Sequence, residues 1–524
     1  MFRTHYDAVI VGGGHNGLVA AAYLAGAGRS VLVLERQPHT GGAAVSAKVF
    51  PGMDARLSRY SYLVSMFPQK IIADLGLNFE SRRRSVAAFT PTMRDGQHKA
   101  LLISNVSPEE TAASFRELTG GDDEYRAYQR FYEHTDLFAR RVWPTLLEPL
   151  LTRQQMKQRF TGKDEMAAWE LLVEKPLGET IEAMFKDDRV RGAVFTDAKI
   201  GVLTHPHDPS LLQNRTYIYH VIGGGTGEWR VPVGGMGALT GALADCARSA
   251  GAEIVTSASV QRILPGQPDA EVEFVHDDKT HTVSARFVLA NVAPDVLAKL
   301  LPDSSPRNGS VEGAAFKINM LLKRLPQLKV KGYSSEQAFT GTFHIDEGYQ
   351  AMQESYRSAV RGQIPDRPPG EMYCHTLTDP SILSPELAAQ GYQTITLFGL
   401  DMPYRLFRDD NERARREVLR RYLAAINQYL DEPIEGCLAQ DANGNACIEA
   451  KSAVDLEAEL GLPAGHIFHN DLTWPFADDD SQAGQWGVET AYPNIFICGS
   501  GAQRGGCVSG IPGHNAAMKV LACL

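Results

Sequence analysis

Gly12, Gly14 and Gly17 stand in the spacing G-x-G-x-x-G inside "DAVIVGGGHNGLVAAAYLAGAGRSVLVLER", Asp7 to Arg36. The chemistry this spacing allows is the holding of a pyrophosphate by backbone. Gly12 permits a tight turn, Gly14 lets N–H groups approach the phosphates, and Gly17 lets a following helix lie close on a sheet, its positive end toward the anion. Glu35 stands about 20 residues on, where a carboxylate can accept both hydroxyls of an adenosine ribose. Its charge argues against a 2′-phosphate, with Arg36 directly after it as the one contrary sign. FAD and NAD both meet that description. For proton transfer the sequence offers three histidines: His514 beside Asn515, His344 in "GTFHIDEGY" and His375 in "MYCHTLTDPS". Each is a general-base candidate, with a packing or capping role as the alternative, so no single catalytic residue is assigned.

The elements that position these residues follow from the apolar pattern. "YDAVIV" is a β-branched run, "LVAAAYLAGAG" favours a helix, and "VLVLE" is a second strand, so the glycines sit between strand and helix. Gly41 and Gly42 in "RQPHTGGAA" let backbone lie against a ligand or make a plain turn. Two later blocks have the same character: "GEWRVPVGGMGALTGALADCARSAGAEIVTSASVQRIL" (227–264), a glycine turn, amphipathic helix and strand, and "YPNIFICGSGAQRGGCVSGIPGHNAAMKVLACL" (492–524), a strand and glycine-rich loop leading into a helix that starts near Ile511 or Gly513. "VIGGGTGEW" imitates a second fingerprint, but Glu228 occupies the third glycine position and Pro232 follows. With CxxC absent too, a disulfide reductase is not expected.

Taken together, "GGGHNGL", "GGMGAL" and "GGCVSGIPGHNAA" resemble the phytoene desaturase-like branch of the flavin amine oxidase superfamily, in particular the group called pyridine nucleotide-disulfide oxidoreductase domain-containing protein 2. The resemblance implies an α/β fold with a Rossmann-like FAD-binding domain of the GR2 flavoprotein type, an inserted α+β substrate domain, and tightly bound FAD. By match it assigns FAD contacts to Gly12, Gly14, His15, Asn16, Gly17, Glu35, Arg36, Gly41, Gly42, Ala43, Val260, Gly499, Ser500, Gly510 and Ile511. Ser500 stands where an acidic residue is frequent in the superfamily. The expected FAD domain is discontinuous (1–85, 216–310 and 466–524), and the expected substrate domain comprises 86–215 and 311–465.

Composition bounds the function. The 524 residues are 44% apolar and 22% charged, with a net charge of −10, so a compact protein with more than one packing unit is expected and a nucleic-acid partner is not. "SRRRS" around Arg82 to Arg84 reads as a solvated charged face. Seven scattered cysteines read as reduced thiols, with no metal-ligand spacing. A cytoplasmic location is expected. "YSYLVSMFPQKIIADLGL", Tyr60 to Leu77, reads as the apolar wall of a substrate passage, a shallow membrane-contact helix, or ordinary core. The expected activity is desaturation, oxidation or isomerisation of an apolar or isoprenoid-like small molecule by hydride transfer to flavin. An amine or alcohol oxidase and a non-catalytic flavin-binding regulator are the alternatives; oligomeric state is left open.

Overall fold

The computed structural model describes residues 2–302 and 311–524, so the expected boundary at residue 310 lies outside the described residues. Two seven-stranded sheets organise the chain. In the first, the strand His5–Val11 lies between Lys279–Ala290 and Val31–Leu34, parallel to both, with Val9 opposite Val288 and Leu32. Glu253–Val255 extends the sheet beyond Val31–Leu34, and Ile495–Ile497 runs parallel to Lys279–Ala290. "AVIV" and "VLVL" are apolar without alternation because both faces are covered: Ala8, Ile10 and Val33 pack with the helices His15–Gly26 and Ile511–Cys523, and Val9, Val11 and Leu32 with Ile263, Val272 and Phe274 of neighbouring strands and Leu297 of the helix Pro294–Leu300. The helices His15–Gly26 and Ile511–Cys523 cross where a Cβ on Gly513 would lie 2.1 Å from the carbonyl of Asn16.

The second sheet has the strand order Ile448–Lys451, Phe316–Leu322, Gln393–Gly399, Gly370–Cys374, Thr342–Ile345, Val86–Arg94, Gln97–Ser104. One face is apolar: Phe316, Ile318 and Met320 pack with Val418, Tyr422 and Ile426 of the helix Asn411–Asn427. Strand alternation then sends Lys317, Asn319, Glu371 and Tyr373 to the other face. A helical layer covers that face, anchored by Asp123–Val142, whose Ala127, Phe131, Thr135, Phe138 and Val142 recur on one buried stripe. The helix Leu212–Val221 of this layer runs through the expected boundary at residues 215 and 216.

The stretch Tyr60–Leu77 contains only the short helix Gln69–Asp74, and Met66 and Ile71 are core, at 1% and 0% exposure. The expectation for "SRRRS" is corrected at Arg84. Arg82 and Arg83 are exposed, but Arg84 points inward, 4% exposed, and donates to Thr342 Oγ1 at 3.0 Å. No helix among the described residues is long and apolar enough to cross a membrane.

Candidate functional site

Gly12 leaves its strand at φ +100°, a conformation for which side chains are strained, and a Cβ there would lie 2.7 Å from the carbonyl of Asn291. A Cβ on Gly17 would lie 2.3 Å from the carbonyl of Gly12, so Gly17 is dictated by the helix closing on its own turn. The N–H of Gly13 donates to Glu35 Oε2 at 2.7 Å and that of Gln37 to Oε1 at 2.8 Å, which locks the buried carboxylate beneath the helix start. The N–H of Gly41 donates to the carbonyl of Gly13 at 2.9 Å, and Gly42 backs onto Gly14, whose Cα would be 3.3 Å from a Cβ at 42. The glycine pair therefore seats against the fingerprint's own backbone.

The other expected contacts fall around this cradle. The N–H of Ala258 donates to the carbonyl of Glu35 at 2.8 Å, bringing the strand Ser259–Leu264 and Val260 alongside. Gly499 lies against Asn291 and Val292, and Asn291 in turn donates to Gly12 through Nδ2 at 3.0 Å. Gly510, at φ +69°, is the N-cap of the last helix, and Ile511 is its first residue. Neither this helix nor His15–Gly26 has a side-chain cap. Arg36 is exposed and donates to the carbonyl of Glu459 at 3.2 Å.

Do these residues fit a dinucleotide? Two uncapped helix N-termini converge, each with orphan N–H groups and a positive end. Close by, His15 Nε2, Asn16 Oδ1 and His469 Nδ1 are buried without partners. Burial pulls the imidazole of His15 down to about 4, so it is neutral and can serve as a donor or acceptor. The set fits FAD, with polar atoms waiting at the cradle and Glu35 retaining lone pairs for ribose hydroxyls.

The histidines separate. His514 is 3% exposed, meets Asn515 Oδ1 through Nδ1 at 2.9 Å, and packs edge-on against Tyr23 at 5.2 Å between ring centroids: a packing residue. His375 bridges Asp379, 3.1 Å from Nε2, and the Tyr373 hydroxyl, 3.1 Å from Nδ1; Asp379 also accepts from the N–H of Gly234 at 2.7 Å. This chain ties the "GGM" turn to the second sheet. His344 lies on the polar sheet face, 2.8 Å from Thr90 Oγ1, and burial with Arg84 nearby pulls it down to about 4.

The other groups on this polar face belong to no sequence motif. Lys317 is 3% exposed; its Nζ has no hydrogen-bond partner and lies 3.9 Å from the centroid of the Tyr62 ring. Tyr62 donates to Glu371 at 2.6 Å, stacks on Tyr373 at 5.2 Å, and its carbonyl accepts from the Tyr373 hydroxyl at 2.9 Å. Burial pushes the Lys317 amine well below its usual range and the Glu371 carboxyl upward. One signal was present: "FKINMLL" alternates polar and apolar. This wall joins the cradle, because Ser61, next to Tyr62, donates through Oγ to the carbonyl of Ala43 at 2.7 Å. Val64, Phe67, Pro68 and Ile72, with Trp143 and Leu147, line the apolar part of a cavity of about 430 Å³ whose wall also carries Lys70, Glu148, Glu228 and Arg230.

A parallel nucleotide sheet with two converging uncapped helix N-termini, joined to a second sheet by a buried polar wall, defines an FAD-dependent oxidoreductase. The model of the NAD(P)-binding Rossmann-like domain family matches residues 10–70. An uncharacterized protein of Mycobacterium tuberculosis is 46% identical over 99% of this chain and 97% of its own length. Pyridine nucleotide-disulfide oxidoreductase domain-containing protein 2 of Mus musculus is 28% identical over 99% of this chain and 94% of its own. Cyclohexylamine oxidase from Brevibacterium oxydans superposes with a TM-score of 0.57 at 14% identity, covering 99% of this chain and 98% of that one, a likeness of fold. The chain belongs to the family of the mycobacterial protein, and its cofactor is FAD.

Proposed function

We propose that the chain oxidises a small molecule with an apolar body and a polar group, held between the second sheet and its helical layer with the reacting carbon near Tyr62 and Lys317. The observation that carries this reading is the Ala43–Ser61 hydrogen bond, which sets the polar wall beside the cradle. In this reading residues 1–85, 216–310 and 466–524 form the FAD domain, and 86–215 and 311–465 the substrate domain.

FAD, when bound, supplies a hydride acceptor at N5. The orphan N–H groups at the start of the helix His15–Gly26 would hold its pyrophosphate and Glu35 its ribose. The start of the helix at Ile511 would face the pyrimidine edge, where the helix dipole favours negative charge. Lys317, whose amine burial pulls well below its usual range, is the group placed to exchange a proton with a hydroxyl or ammonium beside the reacting carbon. Tyr373, positioned by His375 and Tyr62, holds the wall of that space. The cavity at Val64, Phe67 and Ile72 suits the apolar body and its entry.

A purely hydrocarbon, isoprenoid-like substrate suits the wall less, because it would leave Lys317 and Glu371 buried against apolar surface. The test is anaerobic mixing of the yellow holoprotein with primary alcohols, amines and polyprenyl hydrocarbons. Bleaching by an alcohol or amine at a catalytic rate supports the proposal. Bleaching by the hydrocarbon alone favours desaturation, and a flavin-full protein reduced by none is the non-catalytic binder.

A further inference from the structure

Lys317, Phe398, Glu371 and His344 form one register row across four neighbouring strands of the second sheet. At a strand spacing of about 4.8 Å the row runs about 14 Å from the flavin-side end at Lys317. Glu347 follows the last of these strands and, with Thr90, lines a cavity of about 580 Å³ at the far end. Facing the row from the helical layer are Asp197 and the rings of Tyr128 and Tyr132. These three, with Tyr62 and Glu371, lie deep in the molecule yet keep accessible surface, so they border an internal space.

The charges in this space do not balance. Asp197, Glu347 and Glu371 face the Arg84 guanidinium and the Lys317 amine, which burial pulls toward its neutral form, and among the described residues none of the three carboxyls comes within ion-pair distance of either. Glu347 is 1% exposed with no hydrogen-bond partner for either oxygen, and its nearest cationic candidate is His344 Nδ1, at 3.7 Å. That histidine is neutral at pH 7. Independently, the hydroxyl of Tyr217, a fully buried residue close enough to Asp197 to feel its charge, has no partner either. Lys199 is paired with Asp401 at 2.8 Å, and the two arginines of the far cavity with Asp188 and Asp346, so none of these cations is spare. The three acidic groups are thus left without a partner cation among the described residues, beside tyrosine faces that favour one.

We propose that this space recognises a single cationic group, an alkylammonium or guanidinium, carried by the substrate away from the carbon that is oxidised. The proposal rests on the reading that the Lys317 end of the row borders the flavin. The Lys317 amine over the Tyr62 ring is the internal precedent for a nitrogen group held on a tyrosine face there. Carboxylates that are costly to ionise when the space is empty become charge-assisted acceptors once the ligand enters.

The experiment measures binding of hexylammonium, hexanol and hexanoate to the purified holoprotein by calorimetry and thermal shift. Hexylammonium is expected to bind on the order of tenfold tighter than hexanol, and hexanoate weakest. Asp197→Asn is expected to erase the preference for the ammonium while flavin content stays unchanged. Hexanoate binding first, three equal affinities, no ammonium binding, or an unaltered preference in Asp197→Asn each overturn the proposal. If that variant does not fold, Glu347→Gln replaces it, and the wild-type ranking alone already decides. A colourless protein that still ranks the ammonium first sinks the flavin reading and keeps this one; a yellow protein with another ranking does the reverse.

Discussion

Glu35 accepts the backbone N–H of Gly13 at 2.7 Å across 22 residues of sequence, and this bond closes the nucleotide cradle from below. Both carboxylate oxygens are engaged, the second by Gln37. Glu35→Gln keeps the shape but offers one acceptor, so either way round its NH2 group confronts a buried N–H. The expected cost is about 1–3 kcal/mol of stability together with weakened flavin retention. Melting temperature and the flavin-to-protein absorbance ratio check it; a variant as stable and as yellow as the parent overturns the role given to Glu35.

Gly14 and Gly17 separate binding from folding. A Cβ at 14 meets only the Asn291 side-chain nitrogen, at 3.0 Å, whereas one at 17 meets the Gly12 carbonyl at 2.3 Å. Gly14→Val is therefore expected to fold without retaining FAD, because its side chain projects where the pyrophosphate and backbone must meet. Gly17→Val is expected to lose the fold as well. Circular dichroism with released-flavin assay on both variants tests the pair, and full flavin occupancy in Gly14→Val would falsify the cradle.

The cradle was legible because its parts are local. Gly12, Gly14, Gly17 and Glu35 lie within one strand–helix–strand unit, whose period and punctuation the sequence displays. The polar wall was not. Lys317, Glu371 and His344 sit on strands whose order in the sheet is not their order in the chain, so alternation placed each on a face while only the pairing aligns them in one row. His514 carried two readings, packing and chemistry, and only the crossing of its helix over His15–Gly26 shows that it faces Tyr23. Arg84 was hidden in a basic run whose first two members are solvated.

Asp197 predicts a pH dependence. Burial first, then the neighbouring Glu371, pushes its carboxyl up to about 7 from 3.8, against the opposing pull of Arg84. Between those values the folded protein keeps a proton that the unfolded chain has released, so this contribution to stability is complete below pH 3.8 and is lost as pH rises through about 7. Asp197→Asn lacks the titration. The ligand-free variant is expected to gain on the parent from pH 4 to pH 7, by at most about 4 kcal/mol, and to hold that gain above. Denaturant unfolding of both proteins across this range decides; a constant difference removes the titration from Asp197.

Arg504 predicts a structural loss close to the flavin helix. It is 1% exposed and donates to the carbonyls of Thr145 at 2.9 Å, Glu148 at 2.6 Å and Trp486 at 2.9 Å, clamping the glycine-rich loop to the helical layer. Burial pulls it down to about 10, which still leaves it charged at neutral pH. A lysine keeps the charge but not the planar fork, so Arg504→Lys is expected to cost about 2–4 kcal/mol and to loosen FAD. An unchanged melting temperature would show that the clamp carries no stability.

Ile72 tests entry to the site. It is half-buried and lines the apolar part of the cavity with Val64 and Phe67, whereas Met66 and the adjacent Ile71 are sealed in the core. A carboxylate in the core has no partner and must be desolvated, so Met66→Glu and Ile71→Glu are expected to unfold the protein and release flavin. Ile72→Glu can turn its charge to water at the cavity mouth, so it should fold and keep its flavin. Its penalty falls instead on an apolar ligand passing the mouth, for which kcat/KM is expected to drop by roughly tenfold or more while short polar substrates are spared. Flavin occupancy, melting temperature and kcat/KM for a short and a long alkyl substrate are read on the same three variants. A stable, yellow Ile72→Glu enzyme with unchanged kcat/KM for the long substrate rules this cavity out as the route, because no apolar chain can pass a carboxylate at van der Waals distance without cost.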